Sequence, residues 1–284
     1  MTPTDPVWLD SMYNNRALVP DHAIYFSRWD EASAQVRDLA PCMLDVEYGK
    51  SGGEKLDVFP AADAEAPIVF FIHGGYWRSL DKADHSFIAP SFTEQGACVV
   101  IPNYDLCPAV TIPQIIEQMV NALVWIYHNA ARYGGDAQRI TVIGHSAGGH
   151  LAAMLMTYDW KAHAADLPAD LVKNALSISG LYDLEPLMNT PFLKDSLLLT
   201  PEQVHQASPV EFLPPKGGVL YTVVGSLESE EFLRQNLLIQ QTWGSDSVPV
   251  CEALPGLNHF SVVEALIEPG HRLKQLALKL IASA

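Results

Sequence analysis

The sequence predicts an α/β fold in which a mostly parallel central sheet is covered by helices on both faces. Three observations predict it. Two short alternating segments near residue 50 flank a glycine-rich turn, which is typical of an antiparallel hairpin at the start of the sheet. Continuous apolar runs, as expected of strands buried on both faces, then alternate with stretches of helical period. Finally, one serine stands in a Gly-x-Ser-x-Gly pentapeptide between an apolar run and a helical stretch, the local order of a nucleophile elbow.

An amino-terminal extension, residues 1–40, precedes the sheet. Its aromatic residues are scattered among polar ones, and a short helix is predicted at 30–39. Segments 43–48 and 55–59 then form the predicted hairpin. Because 49% of the 284 residues are hydrophobic, the chain can bury a large core, and we treat residues 1–284 as one domain.

Strands and helices alternate after the hairpin, which implies a parallel sheet with helices on both faces. The predicted strands are 67–72, 98–101, 139–143, 175–179, 219–224 and 248–253. The predicted helices are 112–132, 149–158, 230–243 and 269–281, the last with Pro269 in its first turn. Residues 181–215 are too many for a simple crossover, so we predict a small cap over the carboxyl edge of the sheet, which the extension joins.

The charge of the chain excludes several classes of partner. The 17 Lys and Arg residues against 33 Asp and Glu residues leave a net charge of −16. Nucleic-acid binding requires a basic surface, and anionic membranes repel such a chain. The expected partner is a small-molecule substrate, with no nucleic acid and no membrane. The apolar face of the last predicted helix is assigned to the core, with a homodimer as the alternative.

The cysteines and the amino terminus indicate a reducing, cytoplasmic location. No Cys-x-x-Cys pair and no Cys/His cluster at zinc spacing occurs among the four cysteines, Cys42, Cys98, Cys107 and Cys251. Neither a signal peptide nor an apolar stretch of transmembrane length is visible. No glycine fingerprint for a dinucleotide follows a strand. We therefore expect no metal and no cofactor.

Ser146 is the predicted nucleophile. It occupies the centre of Gly144–Gly148, directly after the apolar run 139–143. The two glycines allow the tight turn and leave room for the neighbouring helix. A serine hydroxyl is a poor nucleophile at neutral pH, so a base that is oriented by a carboxylate must lie within hydrogen-bond reach.

His259 is the predicted base. On sheets with this elbow the chain order is serine, carboxylate, histidine. His145 and His150 are too close in sequence to the serine, His73 belongs to another motif, and His271 falls in the last predicted helix. Five more histidines precede the expected acid: His22, His85, His128, His163 and His205.

The carboxylate should lie just beyond the predicted strand at 219–224. Ser229 can cap the helix that follows, and glutamates in the first turn of a helix are ordinary capping and dipole chemistry. Glu228 is left in the loop before that helix and is therefore the favoured acid. The alternatives are Glu230, Glu231 and Asp183.

Backbone N–H groups from two places are predicted to form an oxyanion hole for the tetrahedral intermediate. One belongs to Ala147, directly after the nucleophile. The other place is the loop after the buried strand at 67–72, where Gly74 and Gly75 let the backbone approach the substrate closely. His73 is expected to brace this loop and not to act as a second base.

Three segments together resemble one enzyme family. The segments are His73-Gly74-Gly75-Tyr76-Trp77, Asn103–Pro108 and Gly144–Ala153. They resemble segments of α/β-hydrolases, and most closely those of the kynurenine formamidase (arylformamidase) branch near the hormone-sensitive-lipase-like esterases. The resemblance spans residues 68–259. The Tyr-Trp pair after the double glycine is its most specific part, since the elbow and the His-Gly-Gly loop occur across many esterases.

The resemblance implies a serine hydrolase. The family's nucleophile, acid and base fall on Ser146, Glu228 and His259. The family usually has Asp where this chain has Glu228, and the longer side chain requires a slightly different backbone. The implied reaction is hydrolysis of N-formyl-L-kynurenine to L-kynurenine and formate, a step of tryptophan catabolism. Aromatic candidates for stacking on the aryl ring are Tyr76, Trp77, Tyr25 and Trp29.

Several alternatives remain open. No cationic clamp for the substrate's carboxylate is obvious, and Arg78 beside the oxyanion loop is the candidate. A short-chain carboxylesterase or a hydrolase of another arylamide would use the same three residues. Rates on formanilides against simple esters separate these enzymes. A non-catalytic binding module of the same fold would typically lack the nucleophile or the base, and this chain keeps both.

Overall fold

The computed structural model of the protein describes residues 5–284. Its central feature is a sheet built from eight strands of this described part, in the order β1-β2-β4-β3-β5-β6-β7-β8. The strands are β1 (Met43–Glu47), β2 (Lys55–Phe59), β3 (Ala66–Ile72), β4 (Cys98–Pro102), β5 (Gly135–His145), β6 (Asn174–Ile178), β7 (Val219–Gly225) and β8 (Val250–Leu254). Strand β2 pairs antiparallel with β1 and β4, and all other pairs are parallel. The predicted fold class, including the hairpin at the start, is confirmed.

Helices connect the strands and precede them. The α-helices are α1 (Pro6–Tyr13), α2 (Asn15–Leu18), α3 (His22–Leu39), α4 (Pro90–Thr93), α5 (Ile112–Asn129), α6 (Ala147–Thr157), α7 (Trp160–His163), α8 (Glu185–Met188), α9 (Pro191–Leu197), α10 (Pro201–Ala207), α11 (Glu230–Trp243), α12 (Ser261–Glu264) and α13 (Arg272–Ala282). Shorter 3-10 helices span Lys82–Ile88, Ala130–Tyr133 and Pro209–Glu211. Within residues 5–284, none of these helices combines the length and apolar character that crossing a bilayer requires.

The sheet separates two hydrophobic cores. Because side chains alternate across a strand, Ile68 and Phe70 of β3 join one core, while Val69 and Phe71 join the other. The first core is closed by α5, α6 and α11, and the second by α3 and α13. Burial on both faces is the reason that β3 is a continuous apolar run in the sequence.

The last helix begins later than the sequence pattern suggests. Helix α13 starts at Arg272, and the His271 side chain accepts a hydrogen bond from the Leu273 N–H as its cap. Gly270 before it has a φ of 77°, which is incompatible with a right-handed helix. The prediction that Pro269 lies in the first turn of this helix is therefore wrong.

The extension begins as helices that pack on the segment 181–215. Residues 1–4 of the predicted extension lie outside the described residues. The Phe192 N–H of α9 donates to the Asp10 carboxylate of α1 at 3.0 Å. The Tyr13 hydroxyl donates to the buried Glu231 carboxylate of α11 at 2.6 Å. These contacts place α1 against the helices that follow β6 and β7.

Candidate active site

Ser146 lies in a sharp turn between β5 and α6. Its φ of 56° and ψ of −117° are uncommon for a residue with a side chain, and its N–H donates to the Ile178 carbonyl at 2.8 Å. A Cβ atom on Gly148 would lie 2.0 Å from the Ile72 carbonyl oxygen, so only glycine permits α6 to pack this closely. The strained turn holds the serine at the amino terminus of α6.

The structure brings Ser146, His259 and Glu228 into one chain of hydrogen bonds. His259 Nε2 lies 3.1 Å from Ser146 Oγ, and His259 Nδ1 lies 2.6 Å from Glu228 Oε2. All three residues are buried. With Nδ1–H donating to the carboxylate, the Nε2 lone pair faces the serine hydroxyl. The arrangement matches a general base that is oriented by an acid and hydrogen-bonded to a nucleophile.

Glu228 contacts His259, and the alternative acids make other interactions. Glu231 and Asp183 both accept from the Arg234 guanidinium, with Nη2 at 2.9 Å and 3.3 Å. Glu230 lies in the first turn of α11, where Ser229 caps the helix. The geometry therefore favours Glu228 over these three.

A second histidine holds the loop that carries His259. His145 Nε2 lies 2.9 Å from the His259 carbonyl oxygen, and the two rings lie 4.8 Å apart. Burial keeps the pKa of His145 well below its usual value, so the ring is neutral and Nε2–H donates. Sequence reasoning did not identify this contact, because it joins residues 114 positions apart.

The oxyanion loop lies beside the serine. A Cβ on Gly74 would lie 3.1 Å from Ser146 Cβ, so this backbone directly adjoins the nucleophile. Gly75 has a φ of 103°, and a Cβ there would lie 2.0 Å from the Ser79 carbonyl oxygen. The Ala147 N–H is at the first position of α6, where helical geometry provides no intrahelical acceptor. Gly74 and Ala147 of the predicted oxyanion hole thus adjoin Ser146, and Gly75 lines the cavity that the serine faces.

His73 occupies a structural position behind this loop. Its ring stacks on Tyr104 with centroids 4.4 Å apart, and Nε2 lies 2.9 Å from Asn103 Oδ1. The Tyr104 hydroxyl donates to the His73 carbonyl at 3.0 Å. Burial lowers the pKa of His73. The Asn-Tyr segment after β4 thus braces the His-Gly-Gly segment after β3.

A cavity of about 440 Å³ opens above Ser146 and His259. Its size suits a small organic substrate. Tyr76, Trp29 and Phe260 supply aromatic surface, and Asn15 of the extension also lines it. Phe192 of α9 lines it too, so the extension and the segment after β6 both contribute to the walls.

Two aromatic residues singled out from the sequence lie off the cavity wall. Trp77 is fully buried, packs edge-on against His150 at 4.9 Å and does not line the cavity. Adjacent Tyr76 and Trp77 both adopt positive φ, and the Trp77 side chain packs in the core below the cavity wall. Tyr25 stacks on Phe260 at 6.0 Å and is likewise absent from the lining. Among the expected stacking residues, Tyr76 and Trp29 reach the cavity.

The donor set does not suit a metal. In the described part of the chain, no three His, Cys, Asp or Glu side chains gather as candidate ligands for an ion. The site instead combines a serine hydroxyl, an imidazole and a carboxylate in one hydrogen-bonded chain, an arrangement that can attack a carbonyl carbon.

Known proteins that are similar to this chain are hydrolases. The family model described as BD-FAE matches residues 56–216, more than half of the chain. A kynurenine formamidase of Salmo salar is 30% identical over 265 residues, which cover 89% of this chain and 87% of the relative. Esterase LipQ of Mycobacterium tuberculosis is 30% identical over 66% of this chain and 49% of its own. A solved structure from Silicibacter sp. tm1040, described as a candidate thioesterase, has a TM-score of 0.83 at 28% identity and covers 96% of this chain and 98% of its own.

Proposed function

The chain belongs to the kynurenine formamidase branch of the α/β-hydrolase fold, and from this premise we propose that it hydrolyses N-formyl-L-kynurenine to L-kynurenine and formate. Ser146 is the nucleophile, His259 the general base and acid, and Glu228 the orienting carboxylate. The observation that carries the proposal is the continuous hydrogen-bond chain from Glu228 through His259 to Ser146, whose histidine and serine line a substrate-sized cavity.

The first half of the reaction forms a formyl-enzyme. Ser146 Oγ attacks the formyl carbon while His259 Nε2 takes the hydroxyl proton, and Glu228 stabilises the imidazolium. Negative charge develops on the former carbonyl oxygen, where the N–H groups of Gly75 and Ala147 donate. The C–N bond then breaks as His259 returns the proton to the departing aniline nitrogen. Delocalisation of that nitrogen's lone pair into the ring makes it a better leaving group than an alkyl amine.

The second half releases formate. Water takes the place of the departed amine. The water oxygen attacks the formyl carbon while His259 accepts a proton from the water. The same backbone donors stabilise the second oxyanion. The bond to Ser146 Oγ breaks, Oγ regains the proton from His259, and formic acid leaves and loses its proton to solvent as formate. No cofactor enters either half, because each step is a proton transfer or an acyl transfer.

Carboxylesterase activity is the second candidate function. The similarity to esterase LipQ favours it, since the same nucleophile, base and oxyanion donors cleave esters as readily as activated amides. An ester with a small acyl group fits the same attack geometry. The two functions differ in the leaving group that the cavity accepts.

Mass spectrometry after rapid quenching tests the covalent step. We expect acetylation of the peptide that contains Ser146 on mixing with p-nitrophenyl acetate, and loss of the label in Ser146→Ala. The same variant should release no kynurenine from N-formyl-L-kynurenine while its circular dichroism spectrum stays that of the wild type. A label on another residue, or turnover that survives the substitution, would refute the assigned nucleophile.

A further inference from the structure

The cavity above Ser146 carries positive charge with no balancing acid in its wall. Among the described residues that line it, Arg16 and Arg78 are cationic and none is Asp or Glu. The chain as a whole has 33 acidic residues against 17 Lys and Arg. The cavity is therefore positively charged although the protein as a whole is negatively charged. A local positive potential of this kind concentrates anionic ligands.

Arg78 is held in place through one nitrogen of its guanidinium group, and the other two nitrogens remain available to a ligand. Its Nη1 donates to the Phe192 carbonyl at 2.9 Å and to Ser196 Oγ at 2.7 Å, and its guanidinium carbon lies 4.8 Å from the Phe192 ring centroid. Within residues 5–284, no hydrogen bond uses its Nε or Nη2, and it joins no ion pair. Nε and Nη2 form the edge of a guanidinium that grips a carboxylate with two parallel hydrogen bonds.

Arg16 reaches the same place from the extension. Its Nη2 lies 3.5 Å from Ser79 Oγ, and its guanidinium carbon lies 5.4 Å from the Phe26 ring centroid. It makes no ion pair with any carboxylate of the described chain. The pKa of Arg78 is lowered by burial and by the positive charge of Arg16. The two guanidinium groups therefore repel each other, and an anion between them would relieve that repulsion.

Resting on the proposed function of this site, we infer that Arg16 and Arg78 form an anion subsite that binds a carboxylate on the leaving group of the substrate. The subsite makes the enzyme select substrates that carry this carboxylate over carboxamides of the same shape. Since Arg16 belongs to α2, the amino-terminal extension supplies part of this specificity. The two arginines are positioning residues that act on the substrate and take no part in proton transfer.

Two matched substrate pairs test the inference. One pair is para-acetoxyphenylacetate and its carboxamide, which differ in charge but share the phenol leaving group. The other pair is N-formyl-L-kynurenine and its carboxamide. The variants are Arg16→Gln, Arg78→Gln and the double substitution. Arg132→Gln is the control, because Arg132 is exposed in the 3-10 helix Ala130–Tyr133 and does not line the cavity.

The readout is the ratio of kcat/KM for the acid to that for the amide. We expect the wild-type ratio to exceed one, to fall about tenfold in Arg16→Gln through KM, and to fall further in the double variant. A merely structural arginine would lower both rates together and leave the ratio unchanged. The control should keep the wild-type ratio, and added salt should lower the ratio of the wild type.

The outcomes separate this inference from the proposed function. A wild-type preference for the amides, or an unchanged ratio in Arg16→Gln, would overturn the subsite. If Arg78→Gln does not fold, the exposed Arg16 still provides the test. Charge selectivity on the esters without cleavage of either formamide would support the subsite and refute the formamidase. Formamide cleavage without charge selectivity would support the formamidase and refute the subsite.

Discussion

Ser179 and Glu228 are joined by a hydrogen bond of 2.5 Å, in which the serine hydroxyl donates to Glu228 Oε1. The same oxygen accepts from the Gly225 N–H at 2.7 Å, which leaves Oε2 for His259. Ser179 follows β6 with a φ of 53°, a left-handed conformation that is uncommon for a residue with a Cβ. The carboxylate is thus anchored from the ends of β6 and β7, with its free oxygen aimed at the imidazole.

Removing that anchor should weaken catalysis without abolishing it. In Ser179→Ala, Glu228 keeps the Gly225 N–H and His259 but loses one donor, so the imidazole is held less firmly. We expect kcat to fall on the order of tenfold with little change in KM. Steady-state kinetics on p-nitrophenyl acetate measure it, with Ser27→Ala on the exposed surface of α3 as the control. A kcat equal to that of the wild type would show that the contact is dispensable.

Glu228→Gln should be far more damaging. An amide at this position cannot stabilise the imidazolium and does not select the His259 tautomer whose Nε2 faces Ser146. We expect kcat to fall by about 10⁴, as for the loss of the acid in other serine hydrolases. The matched control is Glu230→Gln, because Glu230 is exposed two residues away. If Glu228→Gln stays within tenfold of the wild type while Asp183→Asn is inactive, the assigned acid is wrong.

The parts of this molecule that sequence reasoning reaches are the local ones. The elbow around Ser146 and the two-sided burial of β3 depend on consecutive residues, so the local sequence pattern predicts both. Glu228 follows from its place after a strand and before a capped helix. The Ser179 anchor and the His145 contact with the loop of His259 join distant positions, and no local pattern encodes them.

The sequence also could not predict which of two neighbouring aromatic residues lines the cavity, because that depends on backbone conformation. Tyr76 and Trp77 are adjacent, chemically alike and both buried, yet Tyr76 lines the cavity and Trp77 does not. Both residues adopt positive φ, 50° and 54°, in the turn after Gly75, a backbone conformation that the local residue pattern does not predict. The start of α13 depends in the same way on the backbone conformation of Gly270.

Gly75→Ala should disable the oxyanion loop. A Cβ at this position would lie 2.0 Å from the Ser79 carbonyl oxygen, and the φ of 103° is unfavourable for alanine, so the loop must shift. We expect kcat to fall by about 10²–10³, the usual effect of losing one oxyanion donor. Gly244→Ala is the control, since Gly244 has a φ of 81° with nothing within 4 Å of its Cβ position. That control should cost stability only, measured by urea unfolding. Equal kinetics in the two variants would contradict the role of the loop.

Buried histidines should make the fold acid-labile. Burial lowers the pKa of His150 to about 4 and that of His85 to about 3, and it also lowers the pKa values of His73 and His145. An unfolded histidine titrates near pH ~6.5, so the unfolded state binds more protons between these values, and the free energy of unfolding falls as the pH drops. His150 alone should contribute a loss of about 2 kcal/mol between about pH 7 and pH 5.

Urea unfolding at both pH values checks this. In His150→Gln the loss of stability on acidification should be smaller than in the wild type by that amount, whatever the stability of the variant at neutral pH. His128→Gln, at an exposed position on α5, should show the wild-type loss. Identical pH dependence in wild type and His150→Gln would contradict the assignment of His150 as a buried neutral imidazole.

The proposed activity is tested most directly by steady-state kinetics of one purified preparation on N-formyl-L-kynurenine and on p-nitrophenyl acetate and butyrate. We expect a kcat/KM for the formamide above that for either ester, with both activities lost in Ser146→Ala. Turnover of the esters alone would contradict the proposed substrate and would identify the protein as a carboxylesterase that uses the same serine.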